Sequence, residues 1–417
     1  RLAEKAIVYH NHYAGSHYTT PGTASLLTGT TPWTHHAFNY EDTVEDYLAQ
    51  KTIFETFSSY QRMAYTHNPL ANTLLLQFMG DIDRLTPWES LYFENDAAFS
   101  STFRNDLDIA SIGKNRALKQ HDDGFSFSLF LAKLYETYKK RRAQRWNDIF
   151  PRGVPDHDGL IFFVLEDAID WIASMTTSAP QPFLSYYHLF PPHDPYHTRL
   201  DFYDAFANDG YKPIRKPDHF FKGTYAKGNG IQERRWYDEF MLYVDAEFAR
   251  LYDHLEQTGL LENTWLILTT DHGEMFERSI IGHTTPVLYQ PLMHVPLLIF
   301  PPGETSRVDV YEATSAIDIL PTLAQITGQE IPDWTEGVVM PPFSETDSAQ
   351  RGDLSTIQVE IIDNQGKILA ATAMLLRDNL KLMWTFGYKE LEDKPELIEL
   401  YDHDTDPKEQ HNQATKQ

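Results

Sequence analysis

An aspartate and a histidine stand side by side shortly after an apolar run in the sequence. The run, residues 264–268, has the length and composition of a buried strand, and it leads into Thr269-Thr270-Asp271-His272-Gly273. In an open α/β sheet, ligands bind outside the carboxyl ends of the strands. A carboxylate and an imidazole are common metal ligands, and a glycine lets the chain turn sharply beside them. The spacing therefore predicts half of a metal site at Asp271 and His272.

Hydroxyl side chains form a second group that could do chemistry. From residue 19 to 29 the chain reads Thr-Thr-Pro-Gly-Thr-Ala-Ser-Leu-Leu-Thr-Gly. Pro21 suits the first turn of a helix and Gly29 suits its end, so Thr19 and Thr20 would lie just before a helix N-terminus. Free N–H groups and the helix dipole favour an anion there. An ordinary threonine cap without a catalytic role explains the same pattern.

Histidines and an aspartate follow another predicted strand, residues 182–190. Three prolines stiffen the loop Pro191-Pro192-His193-Asp194-Pro195-Tyr196-His197. If this loop lies at the same sheet edge as Asp271, it adds imidazoles to the site, and its cluster could hold a second metal. Histidines that are simply exposed on a surface loop explain the pattern equally well.

The elements around these residues predict an α/β fold. Residues 231–258 form the clearest helix, because apolar side chains recur three or four positions apart, and a short turn joins it to the strand at 264–268. A helix that leads directly into a buried strand is typical of a parallel sheet covered by helices. Further strands are predicted at 6–13, 62–66 and 295–300, and further helices at 52–60, 127–146, 160–175 and 315–327. We therefore expect a large mixed, mostly parallel sheet flanked by helices.

The sequence changes character after residue 341. Short runs bounded by turns at 356–362, 367–376, 381–386 and 397–402 predict a small antiparallel sheet. We expect an α/β domain at 1–341 and a small C-terminal α+β subdomain at 342–417. The irregular segments 81–124 and 201–230 are where we expect substrate specificity to lie.

The composition argues against some classes of binding partner. The formal net charge of −25 argues against binding to nucleic acid or to an anionic membrane surface. No apolar run approaches the ~18 residues of a membrane span. The absence of cysteine and of a visible signal peptide favours a cytoplasmic location. An anionic substrate would be repelled by this charge, so its site needs local positive charge, most simply a metal ion. The oligomeric state is left open.

Three separated segments resemble the sulfatase family of the alkaline phosphatase superfamily. Residues 19–29 are similar to the family signature Cys/Ser-x-Pro-x-Arg-Ala-Ser-Leu-Leu-Thr-Gly, and residues 192–196 are similar to its Pro-His-x-Pro-Tyr loop. Residues 271–274, with Gly282-His283 after them, resemble the family's Asp-His-Gly-Glu…Gly-His. Weaker matches follow at 318–323 and 399–412. These motifs occur in the family's order and cover nearly the whole chain.

The resemblance implies an alkaline phosphatase-like sheet and a metal-assisted hydrolase of sulfate or phosphate esters. By position, the nucleophile maps to Thr19, which would form a covalent sulfo- or phospho-enzyme intermediate. One divalent ion would be held by Asp271, His272 and Thr19. An Asp-His pair suits Mn or Zn better than Ca, and Mg is also open.

The substrate side of the site is implied in the same way. His193 and His283 map to positions that bind the anionic group or assist the leaving group. Thr20 and Thr23 map beside the nucleophile, and Thr23 replaces the signature arginine. The partner implied is a small anionic ester.

The sequence also departs from the family pattern. Threonine at position 19 is not expected to become the oxidised aldehyde that sulfatases make from cysteine or serine. A Gly-Lys-x-His segment is not found, and we expect the acidic ligands of the family's first strand upstream of Arg1. Phosphate, phosphodiester and phosphonate esters therefore compete with sulfate esters. A degenerate, non-catalytic protein that binds an anion or a partner, and a transferase of phospho-alcohol groups, are the alternatives.

Overall fold

A computed structural model describes residues 2–92, 126–157, 161–222, 230–304, 306–344, 352–392 and 394–414. The strands in chain order are β1 (Ile7–Tyr9), β2 (His12–Tyr13), β3 (Gln61–Thr66), β4 (Arg84–Leu85), β5 (Asp156–His157), β6 (Ile161–Phe162), β7 (Phe183–His188), β8 (Leu266–Thr269), β9 (Met275–Glu277), β10 (Ile280–Gly282), β11 (Leu297–Phe300), β12 (Val308–Val310), β13 (Thr314–Ser315), β14 (Leu354–Ile362), β15 (Ile368–Arg377), β16 (Leu380–Phe386) and β17 (Glu396–Asp402).

The α-helices alternate with these strands through the first three quarters of the chain. They are α1 (Thr19–Thr28), α2 (Pro32–His35), α3 (Ile53–Thr56), α4 (Pro69–Gln77), α5 (Ser126–Ala143), α6 (Leu165–Thr177), α7 (Gly230–Gln257), α8 (Gln290–Met293) and α9 (Ile319–Thr327). None of the described helices has the length and apolar character that crossing a membrane requires.

The central strands form two sheets. One has the order β12-β1-β11-β8, in which β1 and β12 are parallel and the other pairs are antiparallel. The other has the order β4-β3-β7 and is parallel throughout. The α/β class with mixed sheets is as predicted.

Helices cover both faces of this central layer. Alternate residues of a strand point to opposite faces. On β11, Leu297 and Ile299 pack with Leu27 of α1 and Leu320 of α9. Leu298 and Phe300 face the other way and pack in a cluster with Tyr252 of α7. The protein therefore has three layers, with a sheet between two layers of helices.

Strands β7 and β8 are each at the edge of their sheet in the described part of the chain. Within the described ranges, β7 pairs only with β3 and β8 pairs only with β11. Side chains along β7 and β8 are half-buried throughout, whereas β11, which has a partner on each side, is mostly buried. The carboxyl ends of both open strands lead into the residues that were singled out from the sequence.

The C-terminal strands form the predicted small antiparallel sheet. Its order is β14-β15-β16-β17, with a bulge where β14 passes Val359. The inner face of this sheet packs on the rest of the protein, because Met374, Met383 and Tyr401 share a buried cluster with Leu292 and Met293 of α8. The boundary at residue 341 remains a proposal, because a packed inner face does not define a domain border.

Several predicted elements are shorter or divided. The strand at 6–13 is two strands in different sheets, β1 and β2. The helix at 52–60 is the single turn α3, capped by the hydroxyl of Thr52, and the chain then turns. The helix at 160–175 starts later, at Leu165, because β6 occupies Ile161–Phe162. Most of segment 81–124 and part of segment 201–230 lie outside the described residues, as do the side chains at the start of α5.

Candidate active site

The first helix carries the predicted nucleophile in its first turn. Helix α1 begins at Thr19 itself, after an extended Tyr18, so Thr19 and Thr20 lie inside the helix start rather than before it. Every residue of this helix is buried. Gly22 brings the turn close to Asp271, since a Cβ at position 22 would lie 2.4 Å from the Asp271 carbonyl oxygen.

The loop after β8 presents Asp271 and His272 to this helix start. Its backbone is held by α8, because the N–H groups of Gly273 and Glu274 donate to the carbonyls of Leu292 and Pro291 at 2.8 and 3.1 Å. Position 273 must be glycine, since a Cβ there would lie 2.0 Å from the Pro291 carbonyl oxygen. The loop is therefore fixed by a short helix that follows it by some twenty residues.

His272 faces the Thr19 hydroxyl with an available lone pair. Its Nδ1 lies 2.8 Å from the Gly273 carbonyl oxygen and must donate to it, which leaves Nε2 as an acceptor. Nε2 lies 3.4 Å from Thr19 Oγ1. Burial lowers the pKa of His272 to about 4, so the ring is neutral at physiological pH. A neutral imidazole that donates its other N–H to a carbonyl is the usual state of a metal-ligating histidine.

Asp271 supplies an ionised carboxylate next to this ring. Burial would raise its pKa, but the charges of His272, His188 and His283 outweigh burial and bring it to about 2. Its Oδ2 is buried without a hydrogen-bond partner. The Nε2 atoms of His272 and His188 each lie 3.7 Å from this oxygen, beyond hydrogen-bonding distance. This oxygen is therefore ionised, and neither histidine forms a hydrogen bond to it.

The two substrate-side histidines are also brought here. The ring of His283 lies between that of His272, at a centroid distance of 4.3 Å, and that of His193, at 4.7 Å. His283 Nδ1 lies 3.1 Å from Oε1 of Glu274, which orients the ring. The structure thus brings Asp271, His272, His193 and His283 close together, although they come from three different segments, which follow β8, β7 and β10.

His193 differs from the other buried histidines in its pKa. Its Nδ1 lies 2.7 Å from the carbonyl oxygen and 2.9 Å from the carboxylate of Asp194. Burial alone would lower the pKa of His193, but the hydrogen bonds and charge of Asp194 outweigh burial and raise it. This ring therefore keeps its proton to higher pH than a free histidine, as a proton donor should.

Two hydroxyls and one histidine complete the predicted set. Thr20 and Thr23 are fully buried beside Thr19 on α1, and the Thr20 hydroxyl has no hydrogen-bond partner. His197 instead contacts the Val154 carbonyl, at 2.9 Å, and Asp156. The described residues contain no group of three or more His, Cys, Asp or Glu side chains that could hold a metal, which applies to the Asp271-His272 pair as well as to the His193 loop.

Sequence reasoning missed Asn68. Its Nδ2 donates to Thr19 Oγ1 at 3.3 Å, while its Oδ1 caps helix α4 by accepting from the N–H of Leu70 at 2.8 Å. The sequence did contain a signal, because an Asn directly before Pro69 and after a predicted strand is a typical helix cap. The sequence did not indicate that the NH₂ group of the same side chain donates to Thr19.

Two further histidines were also missed. His188 ends β7, and its Nδ1 lies 3.2 Å from the phenol oxygen of Tyr186. His17 is buried just before α1, where burial, followed by the nearby charges of His272 and His283, lowers its pKa well below the usual value. His17 lies within the hydroxyl-rich stretch and could have been singled out, whereas His188 required knowing which strand lies opposite Asp271.

Comparison with known proteins identifies the family of this chain. The family model described as Sulfatase matches residues 1–329. Arylsulfatase K of Canis lupus familiaris is 27% identical over 281 residues, which are 60% of this chain and 51% of that protein. Choline-sulfatase of Rhizobium meliloti is 24% identical over 377 residues, which are 82% of this chain and 65% of that protein. The chain thus spans about half the length of the arylsulfatases that it matches.

Solved structures share the fold. The phosphonate monoester hydrolase SpPMH from Silicibacter pomeroyi has a TM-score of 0.65 and 20% identity, with 97% of this chain and 83% of that chain covered. The phosphonate monoester hydrolase of Agrobacterium radiobacter has a TM-score of 0.65 and 15% identity, with coverages of 99% and 85%. At these identities the likeness shows the fold alone. Because the family model covers well over half of its residues, the chain belongs to the sulfatase family.

Proposed function

We propose that this protein is a metal-assisted hydrolase of sulfate, phosphate or phosphonate esters with Thr19 as its nucleophile. One observation carries the proposal: the Thr19 hydroxyl, at a buried helix start, lies between the lone pair of His272 at 3.4 Å and the amide donor of Asn68 at 3.3 Å. A hydroxyl with an acceptor on one side and a donor on the other can lose its proton and remain stabilised as an oxyanion.

The donors around Thr19 fit one divalent cation. Asp271 offers a buried carboxylate oxygen without a hydrogen-bond partner. His272 offers the Nε2 lone pair, which would face the Thr19 hydroxyl only while no ion is bound. Thr19 Oγ1 completes the set that we assign to the metal. When bound, a divalent ion would lower the pKa of the Thr19 hydroxyl and offset charge on the transferred group. An Asp-His pair favours Mn or Zn, while Ca and Mg are compatible with the oxygen donors.

The reaction follows from the residues around Thr19. Thr19 loses its proton to solvent, and the Nδ2–H of Asn68 stabilises the oxygen that remains. This oxygen forms a bond to the sulfur or phosphorus of the ester while the bond from that atom to the alcohol oxygen breaks. Water then attacks the Thr19 ester, which releases the inorganic or phosphonic acid and restores the hydroxyl.

The histidines serve the departing and transferred groups. His193 has its Nδ1 occupied by Asp194 and its pKa raised, so its Nε2–H is suited to protonate the alcohol oxygen as it leaves. His283 is oriented by Glu274 and would contact the anionic group, together with Thr20 and Thr23.

The substrate class is tested with a panel of aryl sulfates, choline sulfate, phosphonate monoesters, phosphodiesters and phosphate monoesters. The names of the relatives, an arylsulfatase, a choline-sulfatase and phosphonate monoester hydrolases, support this choice. We expect turnover of at least one member by the wild-type protein supplied with Mn or Zn. Thr19→Ala should abolish it, while melting remains cooperative. Unchanged turnover by Thr19→Ala would refute the assignment of Thr19 as the nucleophile. A wild-type protein that neither binds metal nor turns over any ester of the panel would favour the non-catalytic alternative.

A further inference from the structure

The C-terminal part of the chain reaches back to the loops of the candidate active site through Glu409. This glutamate is 0% exposed and follows β17. Its backbone φ of +54° is unusual for a residue other than glycine, so tertiary contacts must hold it in place. An acidic side chain is seldom buried unless it is paired, and here the partners lie on three separate segments.

Three groups satisfy the Glu409 carboxylate. Lys381 Nζ lies 2.7 Å from Oε1, and both side chains are fully buried. His403 Nε2 lies 3.2 Å from the same oxygen. The other oxygen, Oε2, accepts from the backbone N–H of Gln290 at 3.0 Å. Oε1 therefore pairs with Lys381 of the C-terminal sheet, whereas Oε2 binds Gln290 in the part of the chain that carries the candidate active site.

Gln290 connects this carboxylate to the metal loop. It is the first residue of α8, whose next two residues, Pro291 and Leu292, accept the N–H groups of Glu274 and Gly273. The contact at Gly273 is so close that a single added carbon would collide with Pro291. A shift of α8 would therefore move the backbone that aims His272.

A second route runs through the hairpin of β9 and β10. Glu274 directly precedes this hairpin and His283 directly follows it. At its turn, Arg278 and Ser279 both have positive φ, of 57° and 59°. The buried Arg278 guanidinium donates to the carbonyl oxygen of Glu409.

Aromatic contacts hold the same guanidinium. It lies 4.2 Å from the ring centroid of Tyr289 and 6.0 Å from that of Tyr401. Cation–π contacts of this kind strengthen when the cation is removed from water. Glu409 thus contacts both the helix that supports the metal loop and the tip of the hairpin that leads to His283.

We propose that Glu409 is a positioning residue that sets the relative placement of His272 and His283. The inference rests on the proposed function for its catalytic consequence, since these histidines act only if the site is a hydrolase site. Sub-ångström placement of such groups matters because a misplacement of about 1 Å can cost ~10²-fold in rate.

A purely structural role for the buried pair makes a different prediction. In that case the contribution of Glu409 is its ion pair with Lys381, and any variant that breaks the pair has the same effect. Lys381→Met removes the ion pair and leaves a buried carboxylate without its cation, but it keeps the Glu409 oxygen that accepts from Gln290. The double variant Lys381→Met/Glu409→Leu removes the pair and the contact to Gln290, and it leaves no unpaired buried charge, which favours folding.

The test is amide hydrogen exchange of full-length protein, read from peptides that cover residues 271–283 and 289–294. We expect Lys381→Met to melt at a lower temperature but to exchange like wild type in both peptides. The double variant should exchange at least ~10-fold faster at the amides of Gly273 and Glu274. Equal exchange in the two variants would overturn the inference, whatever their activities.

Turnover provides the second readout. On the best ester of the panel, the double variant should lose at least ~10-fold in kcat with little change in KM, whereas Lys381→Met should keep wild-type kcat below its melting temperature. If the double variant does not fold, Lys381→Met/Glu409→Met is used, because it also lacks an acceptor for the Gln290 N–H, and normal exchange in both peptides would overturn the inference. Absence of wild-type turnover counts against the proposed function alone, because the exchange measurement still decides the positioning role.

Discussion

Thr19 Oγ1 lies 3.4 Å from His272 Nε2, although the two residues are 253 positions apart in the sequence. The hydroxyl belongs to the first turn of α1, and the imidazole belongs to the loop that follows β8. The ring presents a lone pair rather than a proton, because its Nδ1–H is given to the Gly273 carbonyl. This pairing of an alcohol with an available acceptor is the basis of the first prediction.

Thr19→Ser should keep the mechanism, while Thr19→Ala should lower kcat by at least ~10³-fold. Serine retains the hydroxyl that forms the covalent ester, and alanine has no group to replace it. Rapid quenching followed by intact-mass analysis should detect one sulfo or phospho group on the wild type and on Thr19→Ser. Finding the group on a different residue would exclude Thr19 as the nucleophile.

Asn68→Asp should separate catalysis from helix capping. The aspartate retains the oxygen that caps α4, but it replaces the donor to Thr19 with a negative charge next to the developing oxyanion. We expect kcat to fall by ~10²–10³-fold, as for removal of one donor from an oxyanion site. The melting temperature should stay close to that of the wild type.

Asn68→Ala is the matched control, because it removes the cap as well and should cost about 1 kcal/mol of stability. Steady-state kinetics and thermal melting distinguish the two effects. Full activity in Asn68→Asp would show that the amide serves only the helix.

Removal of metal should lower the melting temperature of the wild type more than that of variants at Asp271 or His272. Chelation followed by dialysis should lower the melting temperature, and added Mn or Zn should restore it, because an ion that binds only the folded state stabilises it. Asp271→Asn and His272→Gln should bind less metal and show little response to its addition. Metal content by elemental analysis checks the result, and a wild-type-like response of both variants would contradict the assignment.

The activity should fall at alkaline pH as His193 loses its proton. Burial favours the neutral ring, but Asp194 outweighs burial and raises the pKa above the ordinary value of 6.5. The protonated acid is therefore present below the ordinary pKa and is lost as pH rises through the raised one. In Asp194→Asn the alkaline limb of kcat/KM should move to lower pH, and an unchanged limb would assign the proton donor elsewhere.

Glu409 should make stability depend on pH in the acid range. Burial would raise its pKa, but Lys381 and the hydrogen bonds from His403 and Gln290 bring it from 4.5 to about 2. A carboxylate whose pKa is depressed on folding stabilises the protein above its unfolded pKa, and this stabilisation is lost as pH falls from 4.5 toward 2. Urea unfolding across that range should show a shallower pH dependence for Glu409→Gln, and identical curves would contradict the shifted pKa.

Much of the site was visible in the sequence because its signals are local. Asp271 and His272 follow an apolar run that predicts a strand, and Gly273 comes directly after them. Thr19 and Pro21 mark a helix start in the same way, and the helix begins within two residues of the predicted position. The α/β class and the C-terminal antiparallel sheet also follow from short-range periodicity.

Contacts between distant segments were decided only by the tertiary structure. The sequence predicts that Asn68 caps a helix. Its hydrogen bond to Thr19 forms only because α1 and α4 pack side by side. His188 lies near Asp271 because the carboxyl ends of β7 and β8, strands of two different sheets, lie close together.

Glu409 shows the same distinction at longer range. Its burial and its contact with Gln290 exist only when the C-terminal sheet is packed on α8. Hydrophobic period and turn chemistry depend on neighbouring residues and can be read from the sequence. Long-range packing and hydrogen bonding determine which side chains come into contact. The sequence therefore identified the residues that could react, and only the tertiary structure identified their partners.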